Sequence, residues 1–253
     1  MYWCLMGMRT TAREFVRQVT AATNADDLFA ALQAVSAEMG FEHFALSHHV
    51  DMARSGKEAI RLHNYPSRWA DYYDSNALGV SDPVHRASHM TNIGFVWSNM
   101  AAMIPLTRND QRVLALGREQ GVGDGFTVPA SVPGESLGSC SFANREGVAM
   151  DDSMLPLAQT VGMFAFECAR RLWVARPVDL SPPRLTDRQR DCLLWAGRGK
   201  SDWEISRILG ISQDTVDRHL KNARERYGVP KRTLVVIRAL FDGTLSFSDI
   251  LKH

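Results

Sequence analysis

Five side chains in the first half of the sequence carry hydrogen-bonding groups. Four of them also have a large aromatic ring, and the fifth has a negative charge. Tyr65, Trp69 and Tyr73 stand at i, i+4 and i+8, so a helix would carry the last two on one face and Tyr65 at its entry. Asp82 and Trp97 follow along the chain. Buried Tyr and Trp need hydrogen-bond partners, and a buried carboxylate needs a donor. The set suits a neutral ligand in which an aspartate accepts an amide N–H while Trp and Tyr donate to carbonyls.

The same rings have a plainer interpretation as aromatic side chains of a hydrophobic core. For any single aromatic residue, burial in a core is the commoner situation. Both interpretations stay open on the residues alone.

A second set of residues, 201–221, has the features of a helix-turn-helix. Ser201 with Glu204 forms a capping box at a helix start, and Gly210 stands where a tight turn needs positive φ. Ser212 caps the next helix, whose apolar face and polar opposite face alternate at helical spacing. The apolar positions are Val216, Leu220, Ala223 and Tyr227, and the polar ones are Asp214, Asp217, Arg218, Lys221 and Glu225. Such an outer face fits the DNA major groove, although an ordinary helical hairpin with a solvated face shares these features.

Two further motifs suggest chemistry that their context disfavours. Gly134-Glu135-Ser136-Leu137-Gly138 matches G-x-S-x-G, the nucleophile elbow of hydrolases, which requires a strand before it and a helix after it. Here it follows Pro133 in a predicted hairpin turn. His85 and His89 are spaced i, i+4, but no third metal ligand has convincing spacing, so we expect helix-surface histidines.

The elements that must position these residues follow from periodicity and turn signals. We expect helices over residues 10–23, 26–39, 66–75, 82–89, 108–120 and 151–173, and strands over 41–50, 60–64, 93–97, 125–132 and 137–143. Residues 175–183 are rich in proline and lack periodicity, which is typical of a linker. Strands in the middle with helices at both ends predict an antiparallel sheet covered by helices on both faces.

Composition and charge divide the chain in the same place. Of the 253 residues, 45% are hydrophobic and 23% are charged, as in ordinary soluble globular proteins. Residues 184–247 hold 13 Lys/Arg and 8 Asp/Glu, a net +5, whereas residues 1–183 hold 15 and 19, a net −4. A basic module of this kind is typical of a nucleic-acid reader. We expect a cytoplasmic protein, because no apolar run approaches the roughly 20 residues of a membrane span and no signal peptide is evident.

Cysteine usage agrees with a reducing compartment. The four cysteines lie far apart and no Cys-x-x-Cys occurs, so the sequence predicts free thiols and no zinc site. They are Cys4, Cys140, Cys168 and Cys192.

Residues 184–246 resemble the four-helix DNA-binding domain of the LuxR family. The matching residues are Leu185-Thr186, Gly199-Lys200-Ser201, Trp203-Glu204-Ile205-Ser206, Leu209-Gly210-Ile211-Ser212, Thr215-Val216, His219-Leu220 and Arg232. The resemblance implies that DNA is contacted by Gln213, Asp214, Thr215, Asp217, Arg218, Lys221 and Arg232. Asp217 departs from the basic or neutral residue frequent in the family, so the operator sequence is not transferable.

The first part of the chain resembles the ligand-binding domain of LuxR-type quorum-sensing receptors, which fold as an α-β-α sandwich and bind N-acyl-homoserine lactones. The matching positions are Tyr65, Trp69, Tyr73, Asp82, Pro83, Trp97, Gly125 and Pro129. The resemblance implies that Trp69 donates to the lactone carbonyl and that Asp82 accepts the amide N–H. It further implies that the acyl carbonyl is held by Tyr65 and Ser141, and that the pocket is walled by Tyr73, Val84 and Trp97.

The sequence thus predicts an α+β protein in two domains: an autoinducer-binding domain at residues 8–174 and a helix-turn-helix domain at 184–247, with residues 1–7 outside the resemblance. We expect a homodimeric quorum-sensing regulator that is no enzyme and uses no metal or cofactor. Its expected partners are the lactone, DNA with an inverted-repeat operator, and RNA polymerase, with no membrane. A ligand-independent regulator of the same family and a lactone hydrolase using Ser136 are the alternatives.

Overall fold

The computed structural model describes residues 2–50, 59–132, 135–173 and 183–251, which fall into two compact units, Met1–Arg176 and Pro177–His253. The predicted linker lies outside the described residues except for residue 183. The first unit mixes helices with one sheet, and the second is helical. The predicted α+β class with two domains is confirmed.

The first unit contains a five-stranded antiparallel sheet in the order β2-β1-β5-β4-β3. The strands are β1 (His43–His48), β2 (Arg61–His63), β3 (Phe95–Val96), β4 (Gly125–Ala130) and β5 (Gly138–Ala143). The strand predicted at 93–97 is shortened to two residues, because a 3₁₀ turn, Trp97–Ala102, begins directly after it.

One face of the sheet packs against a layer of three helices. These are α1 (Tyr2–Ala21), α2 (Ala25–Glu38) and α6 (Leu155–Trp173). Phe44, Leu46 and Phe142 from this face join helical side chains such as Leu32 and Val161 in the main core. The alternating buried and half-buried positions of β1 are what a sheet with two differently covered faces requires.

Helix α6 lies very close to the sheet. A Cβ atom on Gly162 would stand 2.7 Å from Cβ of Val128, so no larger residue fits there without a shift. On the other side of α6, Met163 and Phe164 are exposed, at 59% and 44%. The i, i+4, i+7 spacing of Leu157, Val161 and Phe164 predicts one apolar face, but only Leu157 and Val161 are buried.

The opposite face of the sheet is covered by α3 (Ser67–Ser75), α4 (Pro83–Ser88) and α5 (Arg108–Glu119). Smaller apolar clusters form here, one around Trp69, Val113 and Val122 and another around Val84 and Met100. The first unit is therefore an α-β-α sandwich.

The second unit consists of α7 (Asp187–Gly197), α8 (Asp202–Leu209), α9 (Gln213–Tyr227), α10 (Arg232–Phe241) and α11 (Phe247–Leu251). Its core is formed by Leu193, Ile205, Val216, Leu220 and Val235.

Side-chain caps explain why several helices begin where they do. Thr107, Thr186 and Ser201 each accept the backbone N–H three residues on, and the side chain at that third position accepts from the cap's own N–H. These reciprocal bonds satisfy two of the donors that every helix start leaves unpaired. At Ser201, hydrogen bonds from its backbone N–H and hydroxyl, together with Lys200, hold the pKa of Glu204 at about 2, so this carboxylate stays charged at neutral pH.

Two helices at the ends of the chain were predicted less well. Helix α1 begins at Tyr2 rather than residue 10, and no side-chain signal in the sequence marks that start. Helix α11 was missed, although Leu245 before it is buried and Ile250 packs on the second core. The second compact unit therefore includes α11, which reaches Leu251.

Three cysteines are described with their side chains, and all are free. Cys140 and Cys168 lie in the core of the first unit, and Cys192 lies in the core of the second. Burial raises the pKa of each thiol, that of Cys192 to about 11.

Candidate functional site

A cavity of about 770 Å³, including its mouth, lies between the sheet and helices α3, α4 and α5 of the first unit. All seven predicted ligand-binding residues line it: Tyr65, Trp69, Tyr73, Asp82, Val84, Trp97 and Ser141. The structure thus brings the predicted set together around one space.

The strand register gives the cavity a floor of small side chains. Thr127, Ser141, Ala45 and His63 are paired across four neighbouring strands and form one row. The next row on the same face holds Pro129, Ser139, Ser47 and Arg61. Small residues in the middle strands leave the space that the cavity occupies.

Asp82 is fixed by two hydrogen bonds. Its Oδ1 accepts the backbone N–H of Val84 at 2.7 Å, which makes it the N-cap of α4, and its Oδ2 accepts the Tyr73 hydroxyl at 2.6 Å. Burial first, then the charge and hydrogen bond of Asp82, raise the pKa of Tyr73 well above its usual range, so that hydroxyl stays a donor. Each carboxylate oxygen has a second lone pair, so Asp82 can still accept a ligand N–H.

Two hydroxyl groups on neighbouring strands are linked to the indole of Trp97. The indole N–H of Trp97 donates to Thr127 Oγ1 at 2.7 Å, and Thr127 Oγ1 lies 2.8 Å from Ser141 Oγ. The indole ring of Trp97 is therefore held in place as part of the cavity wall. Ser141 also lines the cavity.

Two donors at the cavity have no partner within the described parts of the chain. They are the indole N–H of Trp69 and the hydroxyl of Tyr65. Trp69 is 6% exposed, and its indole N–H can only donate. Burial raises the pKa of Tyr65 far above its usual range, so its hydroxyl also remains a donor. Ligand carbonyl oxygens would satisfy them.

The β2 edge of the cavity is polar. Arg61 pairs with Asp74, and its second terminal nitrogen lies 3.3 Å from His63 Nε2. Because a guanidinium only donates, His63 Nε2 must accept, and burial followed by the charge of Arg61 lowers the pKa of His63. His63 Nδ1 is buried without a partner within the described residues.

His85 is the main correction to the predicted site. Rather than lying on the helix surface, it is buried, lines the cavity and places Nδ1 2.8 Å from the Gly79 carbonyl. Its ring stacks on His49, with centroids 3.7 Å apart. His49 in turn lies 2.9 Å from Ser139 Oγ and 2.8 Å from His89 Nε2. Burial, then the neighbouring His85 and His89 rings, push the pKa of His49 far below its usual value.

Sequence reasoning missed Arg61, His63, His85 and Thr127 at this site. The alternating polar residues of β2 gave no clear signal, because β2 is an edge strand of an antiparallel sheet and such strands commonly carry polar side chains on one face. His85 stands three residues, about one helical turn, after Asp82, so this spacing predicts that both side chains face the same side of α4.

In the second unit, α8 and α9 form the predicted helix-turn-helix. Gly210 between them has φ +65°, the left-handed conformation that its position required, and Ser212 accepts the N–H of Thr215. Val216, Leu220, Ala223 and Tyr227 are buried as predicted.

The outer face of α9 is exposed at Gln213, Asp214, Asp217, Arg218 and Lys221. None of these five side chains is hydrogen-bonded or ion-paired to another residue in the described ranges. They are therefore available to a partner. Thr215 is half-buried, and its hydroxyl lies 2.8 Å from Ser212 Oγ as part of the cap.

Arg232 is used inside the domain. Its guanidinium donates to Asp202 Oδ1 at 2.6 Å and to the Lys200 carbonyl, which ties the start of α10 to the start of α8. It remains partly exposed, so a phosphate contact would be added to this structural role.

The G-x-S-x-G segment lacks the surroundings of a nucleophile elbow. Strand β5, rather than a helix, begins at its last glycine, and Ser136 is exposed away from the cavity. Glu135 in the same motif pairs with Arg170. Across the described ranges, no three acidic, histidine or cysteine side chains are arranged to hold a metal ion, and no helix could cross a membrane.

Comparison with known families matches both units. Residues 24–172 match the autoinducer binding domain, and residues 183–239 match the bacterial regulatory proteins of the luxR family.

Relatives of similar length share both parts. The quorum sensing-dependent transcriptional regulator RpaR of Rhodopseudomonas palustris is 30% identical over 92% of this chain and 94% of its own. The transcriptional activator LuxR of Aliivibrio fischeri is 26% identical over 91% of this chain and 92% of its own. In fold, the chain is similar to Escherichia coli SdiA, with a TM-score of 0.60, 21% identity and coverage of 95% and 98% of the two chains.

Proposed function

Because the chain belongs to the LuxR family of transcriptional regulators and carries its autoinducer-binding domain, we propose that it binds an N-acyl-homoserine lactone and controls transcription as a DNA-binding homodimer. It would act in the cytoplasm, where the DNA is, on promoters read by RNA polymerase.

The arrangement of Asp82 opposite unpartnered donors carries this proposal. A lactone with an amide-linked acyl chain has one amide N–H and two carbonyl oxygens in a short span. Asp82 supplies the acceptor, while the Trp69 indole and the Tyr65 hydroxyl supply donors without other partners in the described chain. Ser141 adds a third hydroxyl at the floor. We therefore assign the lactone carbonyl to Trp69, the amide to Asp82 and the acyl carbonyl to Tyr65 and Ser141.

Lactone binding should stabilise the protein against thermal unfolding. A ligand that binds only the folded state contributes about 2.7 kcal/mol at 100 times its Kd, roughly 5 to 10 °C in Tm for a unit of this size. Differential scanning calorimetry of the full chain with a panel of acyl-homoserine lactones measures the shift, with ring-opened acyl-homoserines as matched controls. A Tm that no lactone changes at millimolar concentration would contradict the proposal.

The same incubations separate a receptor from a hydrolase. Mass spectrometry of the recovered lactone should show an intact ring. Faster ring opening than in buffer, abolished by Ser136→Ala, would favour the hydrolase.

We propose that the homodimer forms through the exposed side of α6. Met163 and Phe164 place two large apolar side chains on this surface, and exposed neighbouring apolar residues are a feature of interaction sites. Sedimentation equilibrium should give twice the chain mass for the ligand-bound wild type and a lower apparent mass for Phe164→Glu. A variant that stays as dimeric as wild type would exclude this surface.

A further inference from the structure

We propose that the acyl group of the ligand carries a hydroxyl, recognised at the far end of the cavity by Ser47, His85 and Arg61. This inference rests on the proposed function, since it concerns the acyl group of the lactone. It goes beyond that function by naming the chemical class of that group.

The strand register shows in which direction the cavity runs from the head-group end. The Trp97 ring packs against Gly125, the first residue of β4, and the Trp69 ring lies close to Gly117 on α5. The donors assigned to the head group therefore lie at the end of the sheet where β4 begins. Ser47 and Arg61 lie in the next row of the floor, two residues and about 7 Å further along the strands than Ser141 and His63.

His85 lies at the same end of the cavity on the helical side, because its ring stacks on His49, and His49 lies 2.9 Å from Ser139 Oγ in the row that holds Ser47. His85 stands three residues after Asp82 on α4, about 4.5 Å along the helix axis, and it lines the cavity. An acyl chain that leaves the amide at Asp82 in this direction therefore passes between His85 and the floor row that holds Ser47.

Each of these three residues offers hydrogen-bonding capacity. Nδ1 of His85 must carry its proton, because the Gly79 carbonyl can only accept, so Nε2 of the neutral ring is an acceptor. That Nε2 and the Ser47 hydroxyl have no partner among the residues that the structure describes. Arg61 has further N–H donors beyond those directed at Asp74 and His63.

The far end is also held rigidly. His85 is fixed by the Gly79 carbonyl and by stacking on His49, and His49 is held by Ser139 and His89. Nε2 of His85 is therefore held in position before the ligand binds, which favours a ligand group of matching geometry.

A hydroxyl fits this surface better than the alternatives. It donates to His85 Nε2 and accepts from Ser47 or Arg61, so both kinds of protein group are satisfied. An unsubstituted alkyl chain offers no partner to either kind of group, which costs affinity. A carboxylate would need a free positive charge, but Asp74 already neutralises Arg61.

The test is calorimetric titration of the full chain with two matched pairs of homoserine lactones. One pair is hexanoyl and 5-hydroxyhexanoyl, and the other is phenylacetyl and 4-hydroxyphenylacetyl. We expect the hydroxylated member of at least one pair to bind about tenfold or more tightly, because a site built to hydrogen-bond a hydroxyl rejects the analogue that lacks it. In Ser47→Ala and His85→Phe this ratio should fall towards one, while the exposed control Ser136→Ala keeps it.

The outcomes are distinguishable. Binding of the unsubstituted members as tightly as the hydroxylated ones in wild type would overturn the inference and leave the lactone receptor intact. A hydroxyl preference that survives in both variants would overturn the assignment to this end of the cavity. If none of the four lactones binds, the inference fails, and the proposed function fails with it when the wider panel also leaves Tm unchanged.

Discussion

Replacing Asp82 by alanine is expected to weaken lactone binding by about 10- to 150-fold. A hydrogen bond to a charged group contributes roughly 1.5–3 kcal/mol, and each 1.4 kcal/mol is tenfold in affinity. The second unit should stay folded, because Asp82 belongs to the first unit and the second unit has a core of its own. Titration of the purified variant and the dose response of a transcriptional reporter measure the effect, and an unchanged dose response would contradict the amide assignment.

Asp82→Asn separates recognition from helix capping. Asparagine caps helices as well as aspartate does, whereas alanine costs about 0.5–2 kcal/mol at such a position. The asparagine variant should therefore keep the bond to the Val84 N–H and most of the stability of the first unit, yet lose the charged acceptor. Both variants should bind lactone poorly, and only alanine should also lower Tm. Full affinity in Asp82→Asn would show that the charge is not what the ligand requires.

Arg218→Ala is expected to relax operator preference at one base pair in each half-site, by about 1–3 kcal/mol per contact. Arg218 lies on the exposed face of α9 and has no hydrogen-bonding partner within the described ranges, so its fork of donors is free for a base edge. A dimer would present two such helices about one DNA turn apart, and the operator should be an inverted repeat. Competition binding against operators mutated one position at a time measures the preference.

Lys221→Ala is the matched control for Arg218. A phosphate contact carries no sequence information, so its loss should weaken operator and random DNA alike and flatten the salt dependence by about one unit. If Arg218→Ala instead lowers affinity for both kinds of DNA by the same factor, the assignment of the outer face of α9 to base reading is wrong. Arg232 is less suitable for this comparison, because it also ties α10 to α8 through Asp202.

Local signals in the sequence predicted most helices, because their causes are local. Thr107, Thr186 and Ser201 act within four residues, and Gly210 acts at a single backbone position. The helix-turn-helix was therefore predictable nearly to the residue. No cap marks the start of α1, and the predicted start was wrong by several residues. Helix α11 was missed although Ser246 and Asp249 form a capping box, because a helix of five residues is too short to show helical periodicity.

The far end of the cavity was beyond this kind of reasoning. Ser47 meets Ser139 through strand pairing over some ninety residues of chain, and no local pattern fixes which residue stands opposite which. His85 and His89 were weighed as a possible metal pair on one helix surface. Burial of His85 depends on how α4 packs over the sheet, and the stacking partner, His49, comes from a different strand.

The buried cysteines give each unit its own reporter of opening. A reagent that needs a thiolate cannot react with Cys140, Cys168 or Cys192 while these side chains are enclosed and their pKa values are raised. In a Cys4→Ser background, mass spectrometry of the labelled peptides would therefore measure local opening of the first unit at two cysteines and of the second unit at one. The labelling rates of these native cysteines would therefore show whether a ligand bound to the first unit reduces local opening of the second unit.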